Sequence, residues 1–188
     1  MRLFLAINLP AEVRAEIVAA TATLRAVAPE IAWVNESRLH LTLKFLGEVG
    51  EERLDELVAA TTGVAGQHRE LLMALGGIGA FPNFRRARVV WMGIEQEARL
   101  ELLHHDIELA CESLGFEVEG RAFRPHLTLA RVKHPLPEPR LRALSRLGKH
   151  TDFRTDFIVR SVDLMSSELS QSGPTYRTLV SAALRSGS

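Results

Sequence analysis

The tetrapeptide His-Leu-Thr-Leu occurs twice, as His40-Leu41-Thr42-Leu43 and as His126-Leu127-Thr128-Leu129. Imidazole exchanges protons near neutral pH. A threonine hydroxyl donates a hydrogen bond to an anionic oxygen. Two such pairs on opposite sides of a phosphorus centre suit in-line displacement. A neutral imidazole takes a proton from the nucleophile, and a protonated one gives a proton to the leaving group. Each such group contributes on the order of 10² to 10⁴ in rate. With 7 His, 28 Leu and 10 Thr in 188 residues, chance supplies about 0.01 copies of the pattern. The two copies observed lie 86 residues apart.

Charge near the motifs fits an anionic ligand. Lys+Arg and Asp+Glu are both 23, so bulk charge does not point to a nucleic-acid coat protein. Locally, Arg121, Arg124, Arg131 and Lys133 surround the second motif with no acid among residues 121–133, and Arg38 and Lys44 flank the first. A basic surface at both motifs is therefore expected, with arginine able to hold phosphate oxygens in a bidentate fork. No HExxH, paired Asp cluster or Cys/His ligand spacing is present, so no metal site is expected. His104-His105 with Glu108 and Cys111 is read as solvated surface, because adjacent helical residues do not share a face. A GxxxxGK[ST] loop is also missing, which argues against ATP use. Lacking a metal or an energy source, such a site needs an activated substrate, and a strained five-membered cyclic phosphate is one.

Strands must present these side chains. Alternation puts His and Thr on one face of each motif strand and the leucines on the other. Residues 2–8 read as a strand with Leu3, Leu5 and Ile7 on one face. Pro10 opens a helix carrying Val13, Ile17, Ala20, Leu24 and Val27, which Pro29 ends. A short strand at 31–34 and a turn at 35–38 lead into the first motif strand, which continues to Gly47. The acidic turn Glu51, Glu52, Asp55, Glu56 starts a helix reaching about Val64. Strands are expected at 71–75 and 89–94, joined by a glycine-rich loop or hairpin connection over 76–88. A helix with Leu100, Leu103, Ile107, Ala110 and Leu114 is closed by Gly115, and a short strand follows at 116–118. Pro137 and Pro139 open a helix that Gly148 closes. Strands over 157–166 and 176–184 follow, with Gly173-Pro174 in the turn between them. The expected fold is α+β: two antiparallel sheets with outer helices, related by a pseudo-twofold internal duplication around a central cleft. Residues 1–188 are expected to form a single bilobal domain, with motif strands near 40–46 and 126–132.

Other residues receive ordinary readings. Cys111 is the sole cysteine, so no intrachain disulfide is possible and a reducing cytosol fits. The apolar N-terminal stretch is too short for a signal peptide. No apolar run approaches the roughly 20 residues of a membrane helix. His68, His134 and His150 are expected at the surface, and Trp33 and Trp91 in the core. Phe84, beside Arg85 and Arg86, is the candidate for stacking on a base of a single-stranded nucleic acid.

The two motifs, with Arg2-Leu3-Phe4-Leu5-Ala6-Ile7, Trp33-Val34, Phe45-Leu46-Gly47-Glu48, Phe81-Pro82, Val89-Val90-Trp91-Met92-Gly93, Arg124-Pro125, Ala130-Arg131, Ser166-Ser167-Glu168-Leu169 and Ser172-Gly173-Pro174-Tyr176, resemble the RNA 2',3'-cyclic phosphodiesterases. That family is also called the 2'-5' RNA ligase family and lies within the two-histidine phosphoesterases. The resemblance implies hydrolysis of a terminal 2',3'-cyclic phosphate on RNA to a 2'-phosphate, in a cleft between two lobes, without metal or cofactor. It implies that His40 is the proton donor to the departing 3'-oxygen and that His126 is the proton acceptor for water. Thr42 and Thr128 match the family's phosphate-contacting hydroxyls, and Arg131 is expected to be a further phosphate contact. With an RNA 5'-hydroxyl in place of water, the same groups would make a 2'-5' bond. A non-catalytic nucleotide-binding module is the other reading. The expected setting is a cytoplasmic monomer acting on RNA ends and away from membranes.

Overall fold

The computed structural model describes residues 1–170 and 173–187. Its first sheet contains β1 (Arg2–Asn8), β3 (His40–Glu48), β8 (Ser161–Ser170) and β9 (Gly173–Ala183). The second contains β2 (Ala32–Trp33), β4 (Leu71–Phe81), β5 (Val89–Ile94), β6 (His126–Arg131) and β7 (Arg154–Val159). The strand order is β3-β1-β8-β9 in the first and β2-β6-β5-β4-β7 in the second. Neighbouring strands within each sheet pair antiparallel. Helices α1 (Ala11–Ala20), α2 (Ala22–Val27), α3 (Leu54–Ala65), α4 (Ala98–Ser113) and α5 (Glu138–His150) complete the α+β fold. Helix α3 packs on β8 and β9, α4 on α3 and β3, and α5 on β4 and α2. The sheets adjoin where β3 meets β6, so the two motif strands are neighbours in space.

The lobes are not the halves of the sequence. Strand β2 joins the second sheet, while the C-terminal hairpin β8–β9 completes the first. Leu3, Leu5, Ile7, Leu41 and Leu43 from one sheet and Val90, Met92, Leu127 and Leu129 from the other share one core with Ile17, Leu57, Leu103, Ile107 and Leu144 of the helices. Burying this apolar surface is the main term holding strands and helices together.

Several boundaries differ from the periodicity. The expected first helix is broken at Thr21, whose hydroxyl donates to the Ile17 carbonyl at 2.8 Å. Such back-bonding competes with the helical ladder. The loop or hairpin connection expected over 76–88 is a hairpin connection, but it is strand as far as Phe81, pairing with β5 across a bulge at Gly76–Ile78. Its glycines make room rather than a turn. Gly77 has φ +71°, and a Cβ on Gly79 would stand 2.2 Å from the Trp91 ring. Residues 116–118 form no strand; the Glu117 carbonyl and the Glu119 N–H bond to side chains instead. Gly148 lies inside α5, not after it, because the Phe84 ring passes where a Cβ would be. The expected strand at 157–166 is two strands in different sheets, parted at Arg160. Gly173 and Pro174 already belong to β9, paired with Ser170 and Leu169, and residues 171–172 lie outside the described residues.

Candidate active site

Both histidines are anchored in the same way. His40 Nδ1 lies 2.8 Å from the Arg38 carbonyl, and His126 Nδ1 lies 2.7 Å from the Arg124 carbonyl. A carbonyl only accepts, so each Nδ1 carries hydrogen and each Nε2 is the ring nitrogen left outside that anchor. His40 Nε2 is 3.1 Å from the Thr42 hydroxyl. Burial pushes the His40 pKa below its ordinary value, and the bond to the Arg38 carbonyl partly counters it. Arg38 itself donates to the Pro174 carbonyl at 2.9 Å, tying the entry of β3 to the start of β9.

Each motif strand bulges at the same place. Along β1 the partners pass from Lys44 to Thr42, skipping Leu43; along β5 they pass from Ala130 to Thr128, skipping Leu129. An inserted residue reverses the alternation beyond it. Leu43 and Lys44 therefore both turn to the core side, as do Leu129 and Ala130, and all four are buried. Phe45 and Arg131 come out on the face of the histidines and threonines. Opposite neighbours share a face, and Phe45 opposes Phe4 while Arg131 opposes Val89.

This corrects the expected basic surface at the first motif. Lys44 is only 6% exposed and points to α4, where Nζ meets Glu108 Oε2 at 2.7 Å. Glu108 and Cys111 are buried too, so this helix face is not the solvated surface expected. His104 stacks on Phe123, with centroids 3.8 Å apart. Among the described residues no group of three His, Cys, Asp or Glu could hold a metal ion. Arg121, Arg124, Arg131 and Lys133 at the second motif are exposed.

Aromatic rings frame the imidazoles, and sequence reasoning missed most of them. Phe4 lies 5.1 Å from His40, and the Tyr176 ring meets His40 edge-on at 5.3 Å. Phe81 meets His126 edge-on at 5.1 Å and leans on Trp91 at 5.2 Å. Trp91 is opposite Thr128 on the motif face, not in the core. Trp33 is structural, giving its indole N–H to the Ala28 carbonyl at 2.8 Å. Beside His40 on the same face, Asn8 donates to Asp163 at 2.7 Å. Phe84, the expected stacking residue, packs instead against α5 and the core. The exposed aromatic on the motif face is Phe45, at 69%. Of the remaining histidines, His68 is buried in a pair with Asp106 at 2.8 Å, and His134 and His150 are exposed.

A family model described as the 2'-5' RNA ligase superfamily matches residues 9–171. The chain belongs to this superfamily. A protein of Thermus thermophilus named RNA 2',3'-cyclic phosphodiesterase is 36% identical to it, over 98% of this chain and 91% of the relative. The solved structure of TT0787, also from Thermus thermophilus, matches with TM-score 0.81 at 33% identity, covering 99% of each chain. That of E. coli LigT complexed with 3'-AMP matches with TM-score 0.74 at 30% identity, covering 97% of each. These matches span essentially the whole length of the chain. Among the described residues of this superfamily member, no helix is long and apolar enough to cross a membrane.

Proposed function

We propose that this protein hydrolyses terminal 2',3'-cyclic phosphates on RNA to 2'-phosphates, without a metal or cofactor. The observation that carries the reading is the paired anchoring: two imidazoles on adjoining strands, each held through Nδ1 with Nε2 left to work. Whole-length relatives bearing the name RNA 2',3'-cyclic phosphodiesterase support the substrate class.

His126 Nε2 removes a proton from water as its oxygen attacks phosphorus. The bond from phosphorus to the 3'-oxygen breaks, and His40 Nε2–H protonates that oxygen. The products are a 2'-phosphate and a 3'-hydroxyl; solvent returns each histidine to its starting state. Thr42, Thr128 and Arg131 hold the non-bridging oxygens, where charge accumulates. The lowered pKa of His40 opposes a proton donor in the free enzyme. A phosphate dianion or monoanion within about 4 Å raises it again, so the substrate itself arms the acid. Phe45, exposed on the same face, is available to stack on a base. Replacing water by an RNA 5'-hydroxyl turns the same chemistry into 2'-5' joining. Residues 1–188 act as one bilobal domain, since each sheet draws strands from both ends of the chain. It is taken to work as a monomer in the cytosol.

The test is product analysis on an oligonucleotide ending in a 2',3'-cyclic phosphate, in EDTA, with and without a 5'-hydroxyl acceptor strand. Conversion to a 2'-phosphate is expected. His40→Ala and His126→Ala should each abolish it while leaving the circular dichroism spectrum intact. Binding without any product, or full activity in either variant, would overturn the reading. Loss of activity in EDTA that a divalent ion restores would overturn its metal-free part.

A further inference from the structure

We infer that Lys44, Glu108 and His104 form a positioning network that sets where the second motif strand lies against the first. The inference rests on the phosphodiesterase reading. The 115–125 stretch that delivers the chain to His126 has no regular structure, so no sheet ladder or helix fixes its path. Beside the Arg53 guanidinium over the Phe116 ring at 4.6 Å, three side chains hold it. Lys44 Nζ donates to the Glu117 carbonyl as well as to Glu108 Oε2. Glu108 Oε2 also accepts the Glu119 N–H at 3.0 Å. Phe123, three residues before His126, stacks on the His104 ring with planes within 10°.

The same three side chains grip the first motif. Lys44 sits in its bulge. His104 faces the backbone of Leu43 where α4 packs on β3, and its Nε2 lies 3.8 Å from Glu108 Oε1. Residues 43–44 of one motif strand and residues 117, 119 and 123 before the other are thus fastened to one turn of α4. The bulge is what makes this possible, since without it Lys44 would project beside Thr42 into the site.

Stability alone gives no reason for this construction. Lys44 and Glu108 are 6% and 7% exposed, and buried ion pairs are commonly replaceable by apolar side chains at no loss of stability. An apolar pair has no donor for the Glu117 carbonyl and no acceptor for the Glu119 N–H. That difference separates positioning from packing.

The experiment compares Lys44→Met/Glu108→Met with the parent enzyme on a cyclic-phosphate oligonucleotide, alongside amide hydrogen exchange. With both charges removed, neither is left buried alone. The expected result is a melting temperature near that of the parent, KM within about twofold, kcat lower by on the order of 10- to 100-fold, and faster exchange at the Glu119 amide. Lys44→Met/Glu108→Gln restores an acceptor for that amide without a charge and should recover part of kcat. Parental kcat and Glu119 protection in the Met/Met variant would overturn the inference, as would a kcat loss accounted for by the unfolded fraction. Should the Met/Met variant not fold, Phe123→Leu decides. It removes the ring stack on His104 while keeping an apolar side chain against the core; a tenfold or greater kcat loss in the folded protein supports the network, and parental kcat refutes it. If the parent itself shows no turnover, the phosphodiesterase reading fails separately, and Glu119 exchange still reports on the network.

Discussion

Gly79→Ala tests how tightly the second histidine is framed. A Cβ at this position would lie 2.2, 2.4 and 2.6 Å from three atoms of the Trp91 benzo ring. Ordinary carbon contacts are about 3.5–4.0 Å, so the indole must move by roughly 1 Å or more. The Trp91 ring leans on Phe81, and Phe81 meets the edge of His126. The shift therefore passes through two ring contacts to the imidazole. Overpacking of this kind costs about 1–3 kcal/mol. At about 2–4 °C per kcal/mol for a chain of this size, the melting temperature should fall by roughly 2–12 °C. A misplacement near 1 Å costs on the order of 10²-fold in rate, and the loss should fall on kcat rather than KM. Calorimetry and steady-state kinetics on a cyclic-phosphate oligonucleotide read both quantities. Adding Trp91→Phe to Gly79→Ala removes much of the colliding ring and should restore part of each. Trp91 Nε1 is buried without a hydrogen-bond partner among the described residues, so no such bond is lost. Parental kcat and melting temperature in Gly79→Ala would refute the reasoning, as would a double variant no better than the single one.

Three further outcomes follow from the geometry. Phe45→Ala should raise KM by roughly 5- to 150-fold, the equivalent of about 1–3 kcal/mol of base stacking. Its melting temperature should hardly change, because the ring is already exposed; an unchanged KM would exclude stacking. His40 should titrate below the ordinary imidazole value in the free enzyme, read from its ring proton shifts, and inorganic phosphate should move it upward. The proposed role of proton donor requires it to be protonated, so kcat/KM should fall as pH rises through that lowered pKa. Because folding depresses the pKa, its stabilising contribution is complete above the unfolded value of about 6.5 and is lost as pH falls through the folded value; titration at or above that unfolded value would contradict the burial argument. Cys111, whose thiol burial pushes up to about 11, should resist alkylation by iodoacetamide in the native protein at pH 7.5 and react promptly once unfolded.

Much of the site was legible because its signals are local. A strand's period of two is written in the motif tetrapeptides themselves, and β1, α3 and α4 fell close to where apolar spacing and capping residues put them. The resemblance also rests on residues read directly from the chain. Pairing between distant strands decided the rest. The 157–166 stretch carries no mark of its break at Arg160, because both pieces keep strand character and only their partners differ. The glycines of β4 read as a loop until Trp91 supplies the ring they accommodate. The rings around His40 come from β1 and β9, which no spacing rule connects to β3.

The sequence by itself determined which residues are the candidates for chemistry: His and Thr at alternate positions, twice. Only the tertiary structure decided which neighbours join them. One skipped residue in each motif strand sends Lys44 inward and brings Phe45 and Arg131 outward. Alternation along a strand holds only while its partner advances in step, and that register belongs to the sheet rather than to either segment.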